Sequence, residues 1–96
     1  MKTITEISKF TFEILKEKEG FLTLDIREKE EFLDYNMGGL NIPSHELKSV
    51  YESLEKQENI IVVCSNGLRS SIIARVLSSK LKNPKIFHLS EGIFND

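Results

Sequence analysis

The chain has 96 residues, a length that suits one domain with a modest core, so we expect a single domain spanning residues 1–96. Hydrophobic residues make up 40% and charged residues 29%, as in water-soluble globular proteins, and a formal charge of −2 argues against a nucleic-acid-binding surface. No apolar run reaches the roughly 18 residues of a membrane span and the first residues show no signal-peptide pattern, so we expect a cytoplasmic protein without membrane contact.

Short apolar segments of strand length recur along the chain. In chain order they are Ile4–Ile7, Phe21–Ile26, Leu40–Ile42, Ile60–Cys64 and Lys85–Leu89. The first and third are the weaker patterns. The segment Ile60–Cys64 is the strongest, because an unbroken apolar run of this length is typical of a strand that is buried on both faces.

Helical patterns fill the intervals between the predicted strands. They are Thr11–Lys18, ended by Gly20; Glu28–Tyr35, with Phe32 and Leu33 buried; a helix capped by Ser44, with Leu47, Val50, Tyr51 and Leu54 in one stripe; and Ser70–Leu81, closed by Pro84. The phenylalanines expected in the core are Phe10, Phe12, Phe21 and Phe32. Strands that alternate with helices predict an α/β fold with a central, mainly parallel sheet of about five strands and helices on both faces.

The one cysteine of the chain, Cys64, ends the strongest predicted strand, where ligands of parallel sheets bind. The loop that follows contains Ser65, Asn66, Gly67, Leu68 and Arg69, and a helix is predicted to begin near Ser70. Free amides of a curled loop and of a helix start form an anion-binding nest, and Arg69 can add a fixed positive charge. We therefore expect Cys64 to ionise more readily than a free cysteine and to act as a nucleophile.

A plainer interpretation of the same loop stays open. Cys64 can be a small hydrophobic residue at the end of a buried strand, and Ser70 can be a helix cap. One cysteine excludes an internal disulfide and favours a reducing compartment, and with only two histidines the chain has too few ligands for a structural zinc site. Neither His45 nor His88 has metal-ligand spacing, so we expect no metal and assign neither residue a role.

Blocks of sequence along nearly the whole chain resemble the single-domain rhodaneses, a family of sulfurtransferases. The loop C-S-N-G-L-R-S at Cys64–Ser70 is similar to the C-x-x-G-x-R-S active-site loop of that family. Further similarity lies in the family patterns D-x-R-x-x-x-E-F, N-I-P and L-x-G-G-I, which correspond to Asp25 with Arg27, Glu31 and Phe32, to Asn41–Pro43, and to Leu89–Ile93.

Three positions depart from the family pattern. Asn36 and Gly38 stand where the family usually has histidine and proline. Glu91 takes the place of a glycine. These changes bear on donor choice and loop rigidity, and they leave the cysteine loop intact.

The resemblance implies transfer of a sulfane sulfur in two steps. The thiolate of Cys64 attacks a donor such as thiosulfate or a persulfide and becomes a persulfide itself, which the loop amides and Arg69 stabilise. A thiophilic acceptor, which can be a small thiol, cyanide or a protein thiol, then removes the sulfur. The resemblance implies no cofactor, and we expect a monomer whose partners are these donors and acceptors.

Asp25, Arg27 and Glu31 have two interpretations. In one, they lie near the site and hold its loops by hydrogen bonds and ion pairs. In the other, which we prefer, they form a structural cluster of an aspartate, an arginine and a glutamate that supports the fold around the site.

Two other classes of function fit parts of the pattern. Cysteine phosphatases and arsenate reductases also place a thiolate in a loop closed by arginine, but their loops resemble C-x5-R, and four residues separate Cys64 from Arg69 here. A shorter ring suits a single sulfur atom better than a tetrahedral oxyanion, and thiol-relay arsenate reductases need further cysteines. A rhodanese-like domain can also serve as a non-catalytic binding or regulatory module.

Overall fold

Five parallel strands form one sheet in the computed structural model, which describes residues 3–94. The strands are β1 Ile4–Ile7, β2 Phe21–Asp25, β3 Leu40–Asn41, β4 Asn59–Val63 and β5 Lys85–Leu89. Their order is β1-β5-β4-β2-β3, and each neighbouring pair runs parallel. The predicted α/β fold class is confirmed, and each strand ends within one residue of its predicted position.

Helices connect the strands. They are α1 Lys9–Leu15, α2 Lys29–Asp34, a 3-10 helix at Ser44–Val50, α3 Tyr51–Leu54 and α4 Leu68–Lys80. Parallel neighbours need such crossovers, because the chain must return to the same end of the sheet before each new strand. None of the helices within residues 3–94 has the length and apolarity that a membrane crossing requires.

The central strand β4 divides the core into two apolar clusters, one on each face of the sheet. Ile60, Val62 and Cys64 belong to the first cluster, whereas Ile61 and Val63 belong to the second. The helices add Leu47, Leu54, Ala74 and Leu77 to the first cluster and Phe12 to the second. Helices therefore pack on both faces, and the strand alternation directs the Cys64 side chain toward α4.

Three helix predictions differ from the structure at their starts, and the helix predicted from Ser70 begins at Leu68. The helix predicted from Thr11 begins earlier, because the Ser8 hydroxyl accepts the Thr11 N–H at 3.2 Å and caps it. The helix predicted to be capped by Ser44 begins as a 3-10 helix after Pro43, and the Ser44 side chain makes no capping bond. The Pro43 carbonyl accepts the N–H of Glu46 three residues on, at 2.8 Å, and so sets the tighter winding.

Phe10 and Leu33, which the sequence predicts to be buried, are 76% and 69% exposed. Side chains two positions apart in a helix point about 200° apart, so the complete burial of Phe12 turns Phe10 outward. In α2 the half-buried Phe32 takes the inner side and its neighbour Leu33 faces solvent. In α1 only Phe12 of this pair is buried, and α2 has no fully buried residue.

Candidate active site

The sulfur of Cys64 accepts hydrogen bonds from two backbone amides. The N–H groups of Gly67 and Ser70 both point at Sγ, with a nitrogen–sulfur distance of 3.2 Å in each case. Gly67 is the N-cap of α4 and Ser70 lies in its first turn, so these amides have no intrahelical acceptor of their own. The Leu68 amide donates instead to Oδ1 of Asn66, at 3.0 Å. Two donors on one sulfur stabilise its negative form.

Cys64 has no solvent-exposed surface. Its side chain lies under the loop, beside the apolar residues Val62 and Ala74 of the first core cluster. Solvent therefore does not reach the sulfur in this conformation. Any reaction at Cys64 would therefore need the groups that cover the sulfur to move first.

Two glycines let the cysteine loop pack against the turn that follows β5. Gly67 has φ of +89°, and a Cβ there would overlap the carbonyl oxygen of Ser90. A Cβ at Gly92 would overlap the backbone of Asn66. The N–H of Ile93 donates to the Cys64 carbonyl at 3.0 Å, so the turn fixes the base of the loop.

The guanidinium of Arg69 pairs with the carboxylate of Glu31 from α2. Its two terminal nitrogens lie 2.9 and 3.0 Å from the two carboxylate oxygens, and one of them lies 3.4 Å from Oγ of Ser65. Hydrogen bonds from Arg69, and next from the N–H of Glu28, lower the pKa of Glu31 from 4.5 to about 2. The same pair raises the pKa of Arg69. The loop arginine thus carries its own counter-ion.

Asp25 and Arg27 form a buried ion pair at the carboxyl end of β2. Both side chains are 1% exposed, and Nη2 of Arg27 lies 2.9 Å from Oδ2 of Asp25. The same nitrogen donates to the Tyr35 carbonyl at 2.6 Å, which ties the end of α2 to the sheet. Glu31 gives Arg27 only its backbone carbonyl, at 3.4 Å, since its carboxylate is with Arg69. The expected three-residue cluster is therefore two ion pairs joined through α2.

A buried hydrogen-bonded chain lies behind the loop, and the sequence predictions miss it. Oγ of Ser70 is 2.7 Å from Nε2 of His88, and Nδ1 of His88 is 2.7 Å from Oε1 of Glu6. The prediction that Ser70 caps α4 is wrong, because the N-cap is Gly67 and the Ser70 side chain is fully buried. Strand alternation offers a signal for His88: two residues after Ile86, it lies on the same face of β5 as that core residue.

Asn36, which stands in place of the family's usual histidine, closes the carboxyl end of α2. Its Nδ2 donates to the Phe32 carbonyl at 2.9 Å. Its Oδ1 accepts the N–H of Gly38 at 2.8 Å. Asn36 thus fixes the segment between α2 and β3 by local hydrogen bonds, and its amide side chain carries no charge.

A cavity of about 390 Å³ lies beside α2 rather than over the cysteine. It is lined by Lys29, Phe32, Leu33, Asn41, Pro43 and Glu46. Within residues 3–94, no three His, Cys, Asp or Glu side chains come together in a group that could hold a metal ion. In the described part of the chain, neither the cavity nor a metal cluster marks the loop Cys64–Ser70, whose candidacy rests on the two amides that donate to Sγ.

A family model described as a rhodanese-like domain matches residues 11–95. The chain belongs to this family, and the resemblance seen in its sequence is confirmed. Among curated proteins, no significant match is found.

Solved structures with the same fold come from bacteria, archaea and yeast. Reduced CoADR-RHD of Bacillus anthracis is 25% identical with a TM-score of 0.81, and the alignment covers 95% of this chain and 16% of that one. A NAD-dependent persulfide reductase from A. fulgidus is 30% identical with a TM-score of 0.64, over 94% of this chain and 15% of that one. The single-domain sulfurtransferase RDL2 of Saccharomyces cerevisiae is 19% identical with a TM-score of 0.75, over 99% and 89%. The chain thus spans about a sixth of the Bacillus anthracis protein it matches.

Proposed function

We propose that this protein is a sulfurtransferase that carries a sulfane sulfur on Cys64 as a persulfide. The observation that carries the proposal is the pair of amides, from Gly67 and Ser70, that donate to Sγ at 3.2 Å. Membership of the rhodanese-like family supports it. Two structural relatives, a NAD-dependent persulfide reductase and a single-domain sulfurtransferase, point to the same kind of sulfur chemistry.

In the first step the Cys64 thiolate attacks the outer sulfur of the donor. A sulfur–sulfur bond forms to Sγ, the donor's own sulfur–sulfur bond breaks, and sulfite or a thiolate leaves with the electron pair. The amides of Gly67 and Ser70 stabilise Sγ while it carries the negative charge, which is before it attacks the donor and again when it leaves as a thiolate. In the second step an acceptor nucleophile attacks the outer sulfur, and Cys64 leaves as a thiolate. The two steps need no cofactor and cause no net oxidation.

The persulfide must be discharged to another molecule, because the chain has no second cysteine that could resolve it. The acceptors we propose are small thiols, cyanide or protein thiols. We also propose that the protein works as a monomer in the reducing cytoplasm, where free thiols are available to take the sulfur from the persulfide.

Mass spectrometry of the intact protein tests this proposal. After incubation with thiosulfate and, separately, with a low-molecular-weight persulfide, the wild-type chain is expected to gain one sulfur atom that cyanide removes. Cys64→Ser is expected to gain none. A folded wild-type protein that gains no sulfur from either donor contradicts the proposal.

A second function is favoured by one observation. Cys64 is fully buried, and a rhodanese-like domain whose cysteine stays closed would act as a binding or regulatory module. The same experiment separates the two, because a module gains no sulfur from a donor panel, whereas an enzyme exchanges sulfur repeatedly in the presence of donor and acceptor.

A further inference from the structure

The chain of hydrogen bonds behind the cysteine loop connects three elements of the fold. Ser70 on α4 is fully buried, and His88 on β5 is 3% exposed. Glu6 on β1 has a side chain that is 57% exposed and is the register partner of His88 on the neighbouring strand. This series of hydrogen bonds therefore runs from the solvent-exposed Glu6 on the edge strand β1 to Ser70 in the first turn of α4.

The carboxylate of Glu6 fixes which nitrogen of His88 carries the proton. An ionised carboxylate only accepts hydrogen bonds, so Nδ1 of His88 must carry a hydrogen and donate to it. In the neutral ring Nε2 is then a lone-pair acceptor, and it accepts the hydroxyl hydrogen of Ser70. If the ring gains a proton, Nε2 becomes a donor to Ser70 Oγ and the hydroxyl hydrogen turns elsewhere.

Ser70 makes one hydrogen bond with its side chain and another with its backbone N–H. Its hydroxyl is anchored to β5 through His88, and its amide N–H points at Sγ of Cys64. The hydroxyl and the amide belong to the same residue. A substitution of His88 that lets Ser70 shift would therefore also move the amide that donates to Sγ of Cys64. On the other side of β5, the register partner of His88 is Val62 of β4, whose apolar side chain offers the ring no hydrogen bond.

We propose that His88 is a positioning residue for sulfur transfer. It acts through Ser70, whose amide donates to Cys64, and Glu6 sets the tautomer of the His88 ring. The proposal rests on the proposed function of Cys64 for its place in a reaction. The geometry behind it is independent of the sulfur donor. It consists of the hydrogen bonds between Glu6 and His88 and between His88 and Ser70, each 2.7 Å long, and the bond of 3.2 Å from the Ser70 amide to Sγ.

The thiolate fraction of Cys64 tests this role directly. The chain has one cysteine, so ultraviolet absorbance of the thiolate, with the Cys64→Ser spectrum subtracted, reports on that sulfur alone. His88→Leu and Ser70→Ala are each expected to lower the thiolate fraction at neutral pH about threefold or more, because one donor to the anion is lost or displaced. The double variant is expected to lose no more than either single variant, since both break the same anchor.

Conservative and control variants separate positioning from a general loss of stability. His88→Gln keeps an acceptor near the position of Nε2 and is expected to restore most of the thiolate fraction. Glu6→Gln is expected to give a mixture of His88 tautomers in long-range ¹H–¹⁵N spectra, assigned with His45→Gln, whereas the wild type shows the Nδ1–H form. Glu52→Gln removes one negative charge, as Glu6→Gln does, but at an exposed position on α3. It is expected to alter neither the thiolate fraction of Cys64 nor the tautomer of His88.

A wild-type thiolate fraction in folded His88→Leu or Ser70→Ala overturns the proposal, and so do additive losses in the double variant. If His88→Leu does not fold, Ser70→Ala combined with Glu6→Gln decides by the same comparison. Failure of the proposed function looks different: the wild-type protein then forms no persulfide with any donor, while the thiolate measurement still decides the role of His88.

Discussion

Arg69 donates from both terminal nitrogens to the two carboxylate oxygens of Glu31, at 2.9 and 3.0 Å. The arginine that closes the cysteine loop is therefore neutralised by a residue on a different helix. That helix is held in turn by Arg27, which bonds to the Tyr35 carbonyl at its end. Under the proposed function, an anionic sulfur donor would meet an ion pair at the loop rather than an unpaired cation, which would reduce its attraction to the loop.

Removing the counter-ion is expected to favour anionic donors. Glu31→Gln leaves Arg69 with an uncompensated charge, so we expect the KM for thiosulfate to fall about two- to fivefold at low ionic strength. The effect is expected to fade in high salt, because both side chains are well exposed. Steady-state kinetics with thiosulfate and cyanide give the measurement, with Glu52→Gln as the control. An unchanged KM at low salt would show that Arg69 does not contact the donor.

The same carboxylate predicts a pH dependence of stability. The pKa of Glu31 is about 2 in the folded protein against an ordinary 4.5, so pairing stabilises its ionised form. Its contribution is complete above pH 4.5 and is lost as the pH falls toward 2. Because the side chain is 38% exposed, we expect Glu31→Gln to cost less than about 1 kcal/mol of unfolding free energy at pH 7.

Urea denaturation of the wild type and Glu31→Gln at a series of pH values checks that sign. The difference between the two proteins is expected to shrink as the pH falls from 4.5 toward 2, since Glu31 of the unfolded wild-type chain is protonated in that range while Glu31 of the folded protein is still ionised. Glutamine keeps the capping bond to the N–H of Glu28, which isolates the charge from the cap. A difference that grows toward low pH would contradict the assignment.

The exposed Leu68 at the rim offers a second way to change donor preference. Its side chain is 72% exposed, directly after the N-cap of α4. Leu68→Arg adds a cation without burying it, and we expect a KM for thiosulfate lowered about two- to fivefold with little change in stability. Phe10→Arg, at a side chain 76% exposed on α1, provides the control for net charge. Equal effects of the two variants would argue against a local role for the rim.

Much of the fold and the position of the cysteine follow from the sequence, because they depend on local patterns. The apolar run of β4 and the helical repeat after it place Cys64 between a strand and a helix within a residue or two. The loop motif then predicts amides around the sulfur, and two such amides are present. Such strand and helix patterns depend only on residues close together in the sequence, so they can be recognised without the structure.

The contacts that connect distant segments are not predictable in this way. Arg69 and Glu31 are 38 residues apart, and His88 and Glu6 are 82 apart, so no spacing rule links either pair. Ser70 shows how local reasoning fails: a serine near a helix start suggests a cap, but Gly67 begins the helix and the hydroxyl turns inward to His88. Tertiary packing decides between the two uses of the same side chain.

The buried pair of Asp25 and Arg27 is expected to matter for folding more than for chemistry. Arg27→Ala leaves the Asp25 carboxylate buried without its partner, and we expect a loss of about 3–5 kcal/mol in unfolding free energy. Urea denaturation measures the loss, and Arg75→Ala, an exposed arginine on α4, is expected to stay within about 0.5 kcal/mol of wild type. Persulfide formation by the folded fraction at low temperature is expected to persist. A stable variant that forms no persulfide would place Arg27 in the reaction.

Alanine substitutions at Gly67 and Gly38 can be compared to measure how much the close packing of the cysteine loop contributes to the free energy of unfolding. Both have positive φ, +89° and +86°, but a Cβ at Gly67 would overlap the Ser90 carbonyl, whereas nothing lies within 4 Å of one at Gly38. Gly38→Ala is expected to cost about 1–2 kcal/mol of unfolding free energy, the price of a left-handed alanine. Gly67→Ala carries the same backbone cost and must also push the loop off the turn, so we expect a larger loss.

Displacing the loop also moves the Gly67 amide away from Sγ, which it now reaches at 3.2 Å. Gly67→Ala is therefore expected to lower the thiolate fraction of Cys64 as well as the stability, whereas Gly38→Ala lowers the stability alone. Urea denaturation and thiolate absorbance on the two variants provide both readings. If Gly67→Ala is as stable as Gly38→Ala and keeps the wild-type thiolate fraction, the close approach of the loop to Ser90 does not hold the sulfur in place.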